Sequence, residues 1–391
     1  MQSTGTLITF QVAHPATTNR FRRQPAQEIL EWVRRYGTNS SSYVLLEGSK
    51  SYFISPRVDG FLAYQMSAGI PVIAGDPVCS PEQAPDLIED FVTAMRRRPI
   101  GAYQVSPQML GAFQQSGFGD VQVGKEAIFD LRRFTLAGGR MELVRAATNK
   151  ARREGVVVRE HNPFAVGAGQ VNEELRAISN EWLRSKGEHE LGFLLGSLGL
   201  EHPSAKRYFI ARSGRGTGRI EGFIVCEPIY GRKGYYLDAT RRRSDAVRGT
   251  MELLTTEIFR FLAGEGYEIA SMGLAPLALL DDPGLSRHPR LTQLMRFVYE
   301  RVNNSYDFKL LYRYKAKYHP HAWERRYICF NQRRLSLRML YAVIRVRNAL
   351  TLGGLVRRHS ETRGFQEKVK SWKHAASFVI GLFSAFISSS S

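Results

Sequence analysis

The spacing of apolar and polar positions changes many times along the chain, and each change marks an element. Residues 1–25 are polar, rich in Thr, Asn and Arg, and read as a flexible lead. From Pro25 to Tyr36, Ile29, Leu30, Trp32 and Val33 recur on one face at helical spacing. Short strand-like runs follow at Tyr43–Leu46, Ser51–Ile54, Phe61–Tyr64 and Ile70–Ala74, split by Gly, Ser and Asp turn signals. The pattern then predicts a helix over Pro81–Arg98, a strand over Ile100–Val105, a helix over Pro107–Ser116 and a strand over Ala127–Leu131.

The succession then begins again. Leu143–Glu154 predicts a strongly basic helix, Val156–Glu160 a strand and Val171–Ser185 a helix. Arg207–Ala211 and Ile220–Pro228 read as a hairpin, Gly234–Ala239 as a strand, Gly249–Glu265 as a helix and Tyr267–Met272 as a strand. Residues 335–350 form a basic amphipathic helix, with Leu337, Leu340, Val343, Ile344 and Leu350 set against Arg338, Arg345 and Arg347. Both units run helix, antiparallel strands, helix, strand. That order predicts two α+β domains of one type packed together, without a visible residue-level repeat. The divisions fall at 1–37 for the lead and first helix, 38–138 for the first domain, 139–334 for the second, and 335–391 for the basic helix and an apolar tail.

Composition narrows the class. The 391 residues are 43% apolar, which excludes pervasive disorder, a collagen-like chain and a small disulfide scaffold. Cys79, Cys226 and Cys329 are far apart and show no zinc-type spacing, so they read as small buried hydrophobes in a reducing compartment. His319 and His321 have no third ligand at useful spacing, and no metal is expected. There is no secretory pattern at the start and no run of about 18–20 apolar residues anywhere.

Charge changes the picture more. There are 55 Lys and Arg against 36 Asp and Glu, a net +19. Between Arg296 and His374 the count is 19 against 5. A basic surface of this kind attracts polyanions, either nucleic acid or an anionic membrane. Near the end, Lys368, Lys370, Trp372 and Lys373 precede a short apolar block, Phe378–Ile387, which reads as a membrane-surface anchor.

Three stretches bear on chemistry. Gly214–Gly218 is glycine-rich, but it lies between two strand patterns with no helix after it, so it reads as a hairpin turn and not as a phosphate loop. In Tyr235–Met251 a strand ends at Asp238, an Arg-rich loop follows, and then a helix. Asp238 and Arg241 can face a cleft there, or can make a surface ion pair. Ser305–Tyr327 alternates cations with aromatics. Rings stack on bases while Lys and Arg hold phosphates; the other reading is a strand with an aromatic core face.

With these stretches in place the chain resembles a known family. The fragments are Gly75-Asp-Pro77, Gly117-Phe118, Gly124-Lys-Glu-Ala127, Asp130-Leu-Arg-Arg-Phe134, Arg145-Ala-Ala-Thr-Asn149, Trp182-Leu183 and Phe193-Leu-Leu-Gly196. After them come Asp238-Ala-Thr-Arg241, Gly249-Thr-Met251, Met272-Gly-Leu-Ala-Pro-Leu277, Lys315-Ala-Lys317 and Trp323. In this order, from about Tyr43 to Tyr327, they resemble the catalytic domain of bacterial phosphatidylglycerol lysyl- and alanyltransferases, the multiple peptide resistance factors. The resemblance implies tandem GNAT-like acyltransferase domains that move an aminoacyl group from charged tRNA to a lipid hydroxyl. Members often carry a multi-span flippase domain, and none is expected in this chain.

An aminoacyl ester is already activated, so no cofactor or metal is expected beyond aminoacyl-tRNA as co-substrate. Asp238 matches the family's active-site carboxylate, for the substrate ammonium or the attacking hydroxyl. The resemblance makes Arg241 its partner or a donor-phosphate contact. Lys315 and Lys317 match a lysine pair that stabilises the oxyanion or the lipid phosphate, and Glu300 is a further candidate. The expected tRNA contacts are Arg145, Lys150, Arg152, Arg153, Arg313, Arg325 and Arg326. The residues Arg243–Met251 lack the glycine spacing that a GNAT acetyltransferase uses for acetyl-CoA. The expected partners are charged tRNA and anionic lipids, and the expected place is cytoplasmic, peripheral on the inner face of the membrane. Two other readings stand beside this one: transfer to a peptide or peptidoglycan-precursor amine, and a non-catalytic RNA- or membrane-binding protein.

Overall fold

Each half of the chain contains three consecutive antiparallel strands, a helix, a parallel strand, a second helix and a last strand, and the second half adds a further strand and helix ahead of them. In the first half, α1 (Ala26–Tyr36) precedes β1 (Ser51–Ile54), β2 (Phe61–Ser67) and β3 (Ile70–Ala74). Then come α2 (Ala84–Ala94), β4 (Gly101–Val105), α3 (Pro107–Gln115) and β5 (Gly119–Asp130). The second half opens with α4 (Glu142–Arg153), β6 (Val157–His161) and α5 (Gly169–Lys186). It continues with β7 (Arg207–Arg212), β8 (Ile220–Ile229), β9 (Gly234–Arg242), α6 (Thr250–Gly264), β10 (Ile269–Pro276), α7 (Phe308–Ala316) and β11 (Ala322–Phe330). A helix α8 (Leu337–Asn348) follows. This computed structural model describes residues 26–48, 50–186, 198–200, 205–281, 308–332 and 335–348, with several positions between 288 and 296.

The eleven strands of the described residues join one sheet in the order β1-β2-β3-β4-β11-β5-β10-β9-β8-β7-β6. The parallel pairs β3–β4 and β9–β10 are the crossovers over α2 and α6. The halves exchange their last strands. β11 sits between β4 and β5, and β5 sits between β11 and β10. The sheet therefore runs unbroken across the expected boundary at 138/139, and the mixed α+β class holds.

Helices cover both faces. On one side of the second half, α4, α6 and the end of α7 pack over Phe129, Phe209, Tyr235 and Leu237. On the other, α5 packs Leu175 and Ile178 on Tyr208, Ile210, Phe223 and Val225. In the first half, α2 and α3 oppose α1 and α8.

Three sequence expectations change. Tyr43–Leu46 is not a strand but leads into a 3-10 turn at Val44–Leu46. Side chains take its carbonyls: Tyr52 Oη donates to Leu45 O at 2.6 Å and Lys50 Nζ to Val44 O at 2.9 Å. The cation–aromatic stretch at 305–327 divides into α7 and the start of β11. Finally, the apolar side of α8 is occupied. Met339, Ala342, Val343 and Val346 are buried against the first-half core, so that face is not open to a bilayer. The apolar block at 378–387 lies outside the described residues. No helix among the described residues is long and apolar enough to cross a membrane.

Gly249 shows how tightly the second half is fitted. It opens α6 at φ +90°, and a Cβ there would stand 2.0 Å from Ala147 O on α4. Gly249→Ala combines backbone strain of about 1–3 kcal/mol with a clash against rigid backbone. It is expected to lower the urea midpoint of unfolding clearly, while Gly264→Ala, with nothing near its Cβ position, leaves the midpoint unchanged or higher.

Candidate active site

The parallel pair β9–β10 is joined only over Gly234–Tyr236 and Ile269–Ser271. Both strands continue beyond that point and part, and Asp238 lies two residues past the last pair. In a regular strand, residues three apart point to opposite faces. Here Ile224 pairs with Thr240 and Cys226 with Leu237, which puts one extra residue in β9 between them. This bulge turns Asp238 and Arg241 to the same face, the face covered by α5. The guanidinium of Arg241 lies 4.8 Å from the centroid of Trp182 on that helix.

A buried group of charges surrounds Asp238. Lys206, whose side chain is fully buried, lies 2.5 Å from Glu47 Oε1 and 3.0 Å from Glu227 Oε1. Lys50 gives its ammonium to the carbonyls of Val44 and Glu47. Burial pushes the Glu227 carboxyl well up, against the pull of Lys206 and with the push of Asp238. Burial lowers Lys50 to about 8. It also works against the charge on Lys206, but Glu227 and Glu47 more than offset it and hold that ammonium firmly charged. Tyr236, one pleat before Asp238, has its phenol raised by burial and then by the Asp238 and Glu227 carboxylates.

On the other side of the split, β10 carries a bulge of its own between Ser271 and Leu274. The buried Lys315 of α7 reaches it and donates to Gly273 O at 3.0 Å and Leu274 O at 2.6 Å. Burial lowers this amine to about 7, although Glu126 nearby pulls the other way. Two protons of Nζ are thus committed to carbonyls. The remaining tetrahedral position carries a third proton or a lone pair, and near neutral pH both forms exist.

The structure does not gather all the expected site residues. Lys317 turns away from the split, 2.5 Å from Glu252 Oε1 of α6 and over the rings of Tyr314 and Tyr318. Glu300 lies outside the described residues. Among the expected tRNA contacts, Arg326 is misassigned: its side chain is 1% exposed and lies 2.6 Å from Glu126 Oε2. Arg145 is half-buried and donates to Leu136 O and Gly138 O. Arg152 contacts Glu257 at 2.5 Å, Arg325 contacts Asp281 at 2.7 Å, and Lys150 is 3.6 Å from Glu154. Arg153 and Arg313 are exposed. The helices α4 and α7 lie on one face of the sheet, and His319 Nε2 stands 2.9 Å from Arg140 O between them. Among the described residues no group of three or more His, Cys, Asp or Glu is arranged for a metal.

Sequence reading missed Lys206 and Glu227. The available signal was a carboxylate inside Ile220–Ile229, ten consecutive residues that are all buried.

This arrangement, a split parallel pair flanked by a carboxylate and a buried near-neutral amine, fits acyl transfer. The comparisons bear on its class. Residues 31–330 match the family described as phosphatidylglycerol lysyltransferase, C-terminal, and the chain belongs to that family. It is 28% identical to the phosphatidylglycerol lysyltransferase of Bacillus subtilis (strain 168) over 344 residues, 87% of this chain and 39% of that protein. It is 27% identical to the lysylphosphatidylglycerol biosynthesis bifunctional protein LysX of Gordonia bronchialis, over 80% of this chain and 28% of that one. The chain thus spans well under half the length of these relatives. Among solved structures, L-PGS from Bacillus licheniformis superposes with TM-score 0.68 at 26% identity, covering 81% of this chain and 94% of that one. A C-terminal domain from Agrobacterium fabrum, assigned as a lysylphosphatidylglycerol synthetase, gives 0.69 at 26% identity, covering 83% and 96%.

The buried charge group makes a stability prediction. Removing one partner of a buried ion pair typically costs about 3–5 kcal/mol. Lys206→Met should therefore lower unfolding free energy by about that amount in urea, and adding Glu227→Gln should recover a large part of it.

Proposed function

We propose that this chain transfers an aminoacyl group from charged tRNA to the hydroxyl of a phosphatidylglycerol-type lipid. The observation that carries the reading is Asp238 and Arg241 on one face at the β9–β10 split, with Lys315 in the split, in a chain of the lysyltransferase family. In this reading Asp238 receives the aminoacyl ammonium beside the Glu47, Lys206 and Glu227 group, and Arg241 on Trp182 borders the donor. The neutral form of Lys315 takes the proton of the lipid hydroxyl as its oxygen attacks the ester carbonyl. The tetrahedral intermediate then collapses, the bond to the ribose oxygen breaks, and Lys315 returns its proton to that oxygen. A positioned acid/base of this kind contributes about 10²–10⁴-fold. Exposed cations such as Lys150, Arg153 and Arg313 on one face contribute to holding the tRNA backbone. The enzyme works at the anionic inner leaflet, and it needs no cofactor because the ester is already activated.

Lipids extracted after expression should contain an aminoacylated species by mass spectrometry. The purified reaction should stop when ribonuclease is added; continued turnover would remove tRNA as donor. Asp238→Asn, which loses a charged hydrogen bond to the ammonium, should lower kcat/KM by about 10- to 150-fold with its melting transition intact.

The pH dependence has a definite sign. Only unprotonated Lys315 accepts a proton, and its amine lies at about 7. The rate kcat/KM should therefore fall as pH drops through that value. A rate flat from pH 8 to pH 5.5 would exclude Lys315 as the base.

A further inference from the structure

Arg326, unavailable to RNA, belongs to a chain of buried contacts that ends at Lys315. Its Nη2 lies 2.6 Å from Glu126 Oε2 of β5 and 3.2 Å from Glu324 Oε2. Glu324 in turn accepts two hydrogen bonds from Arg232, at 2.7 and 3.0 Å. The other oxygen of Glu126 accepts the Ser271 hydroxyl of β10. Ser271 Oγ accepts the Gly273 N–H at 2.9 Å, and Gly273 O accepts Lys315 Nζ. Gly273 itself is held at φ +74°, where a Cβ would stand 2.7 Å from the ring of Tyr236.

The pair is not explained by stability alone, since burying two charges is costly and apolar replacement is often neutral or better. What it does is hold a carboxylate near an amine without letting them meet. The Ser271 hydroxyl bonds one oxygen of Glu126 and the Arg326 guanidinium pairs with the other, which ties the carboxylate to β10 and β11. A direct ion pair would keep Lys315 charged, and loss of the carboxylate would leave burial to strip its proton.

We propose that Glu126, fixed by Arg326 and Ser271, is a positioning residue for Lys315, shaping the β10 bulge that grips the amine and setting how firmly it holds its proton. This rests on the reading in which Lys315 moves the hydroxyl proton. Charged or titratable groups around that end of α7 include Tyr236 on β9, Arg326 and Glu324 on β11, Tyr314 and Tyr318, and Glu252 with Lys317. Glu324 and Glu252 are paired to arginines and to Lys317. Glu126 is the charge that acts on the amine.

The test uses the full chain with 13C-labelled lysine, the Lys315 signal being the one lost in Lys315→Arg. In Glu126→Gln its titration midpoint should fall by about one pH unit, and the acid limb of kcat/KM should move down with it. Ser271→Ala keeps every charge but frees the bulge. It should lower kcat by about 10- to 100-fold without moving the limb, and it serves if Glu126→Gln does not fold. An unmoved Lys315 midpoint in folded Glu126→Gln, or full kcat in Ser271→Ala, overturns the proposal. The titration needs no turnover. A wild-type protein that forms no aminoacyl lipid therefore refutes the function proposed above, while the Glu126–Lys315 coupling is still decided.

Discussion

Two parallel strands that pair over three residues and then part leave backbone groups facing a gap inside the protein. Buried carbonyls require donors, and each one left without costs about 1–3 kcal/mol. At β10 the missing donor is Lys315, whose amine takes the place of a neighbouring strand for Gly273 and Leu274. One interaction thus closes the sheet and sets a titratable amine at the point where β9 and β10 diverge. The bulges at Asp238 and Gly273, the extended β5 and the exchange of last strands all bring groups to this point.

The same architecture occurs twice, with different outcomes. In the first half β3 and β4 pair through Ala74–Tyr103, and Asp76 lies two residues beyond, as Asp238 lies two beyond Tyr236–Ser271. Asp76 is fully engaged by the scaffold: Asn39 Nδ2 donates at 2.9 Å and the Ser106 N–H at 2.8 Å. Among the described residues no lysine plays the part of Lys315 there; instead Gly75 N–H reaches back to Tyr103 O. One split is closed by turn geometry and neutral donors, and the other by ionisable side chains. That difference is the structural reason for proposing the site in the second half.

Local chemistry explains what was legible in the sequence. Most helices and strands were readable because their apolar spacing decides their type, and Asp238, Arg241 and Lys315 were expected from a resemblance. The bulge that makes Asp238 and Arg241 neighbours leaves no mark in Tyr-Tyr-Leu-Asp-Ala-Thr-Arg, because it depends on how β8 lies alongside. Arg326 was misread for a similar reason. Between Arg325 and Tyr327 it looks like part of an exposed basic surface, whereas its partner Glu126 is brought to it by the strand exchange. The apolar face of α8 was readable as amphipathic, but the pattern does not say whether lipid or protein covers it.

The site must also keep two kinds of charge apart. On the proposed reading it binds a cationic ammonium and moves a proton through an amine, and a carboxylate free to choose would quench one or the other. The fold separates them on the two sides of the split. Toward β7 and β8, Glu47, Glu227 and Asp238 lie with Lys50, Lys206 and Arg241, and Lys50 is turned to backbone carbonyls. On that reading a substrate ammonium joins this group beside Asp238, where burial already raises the proton affinity of Glu227. Toward β5 and β11, the Glu126 carboxylate near Lys315 is held by Arg326 and Ser271. In that set Glu126 comes from the exchanged strand β5 and Arg326 from the exchanged strand β11, while Ser271 is on β10. The exchange of β5 and β11 therefore does more than fasten the halves together. It supplies the rigid charge against which the amine is poised.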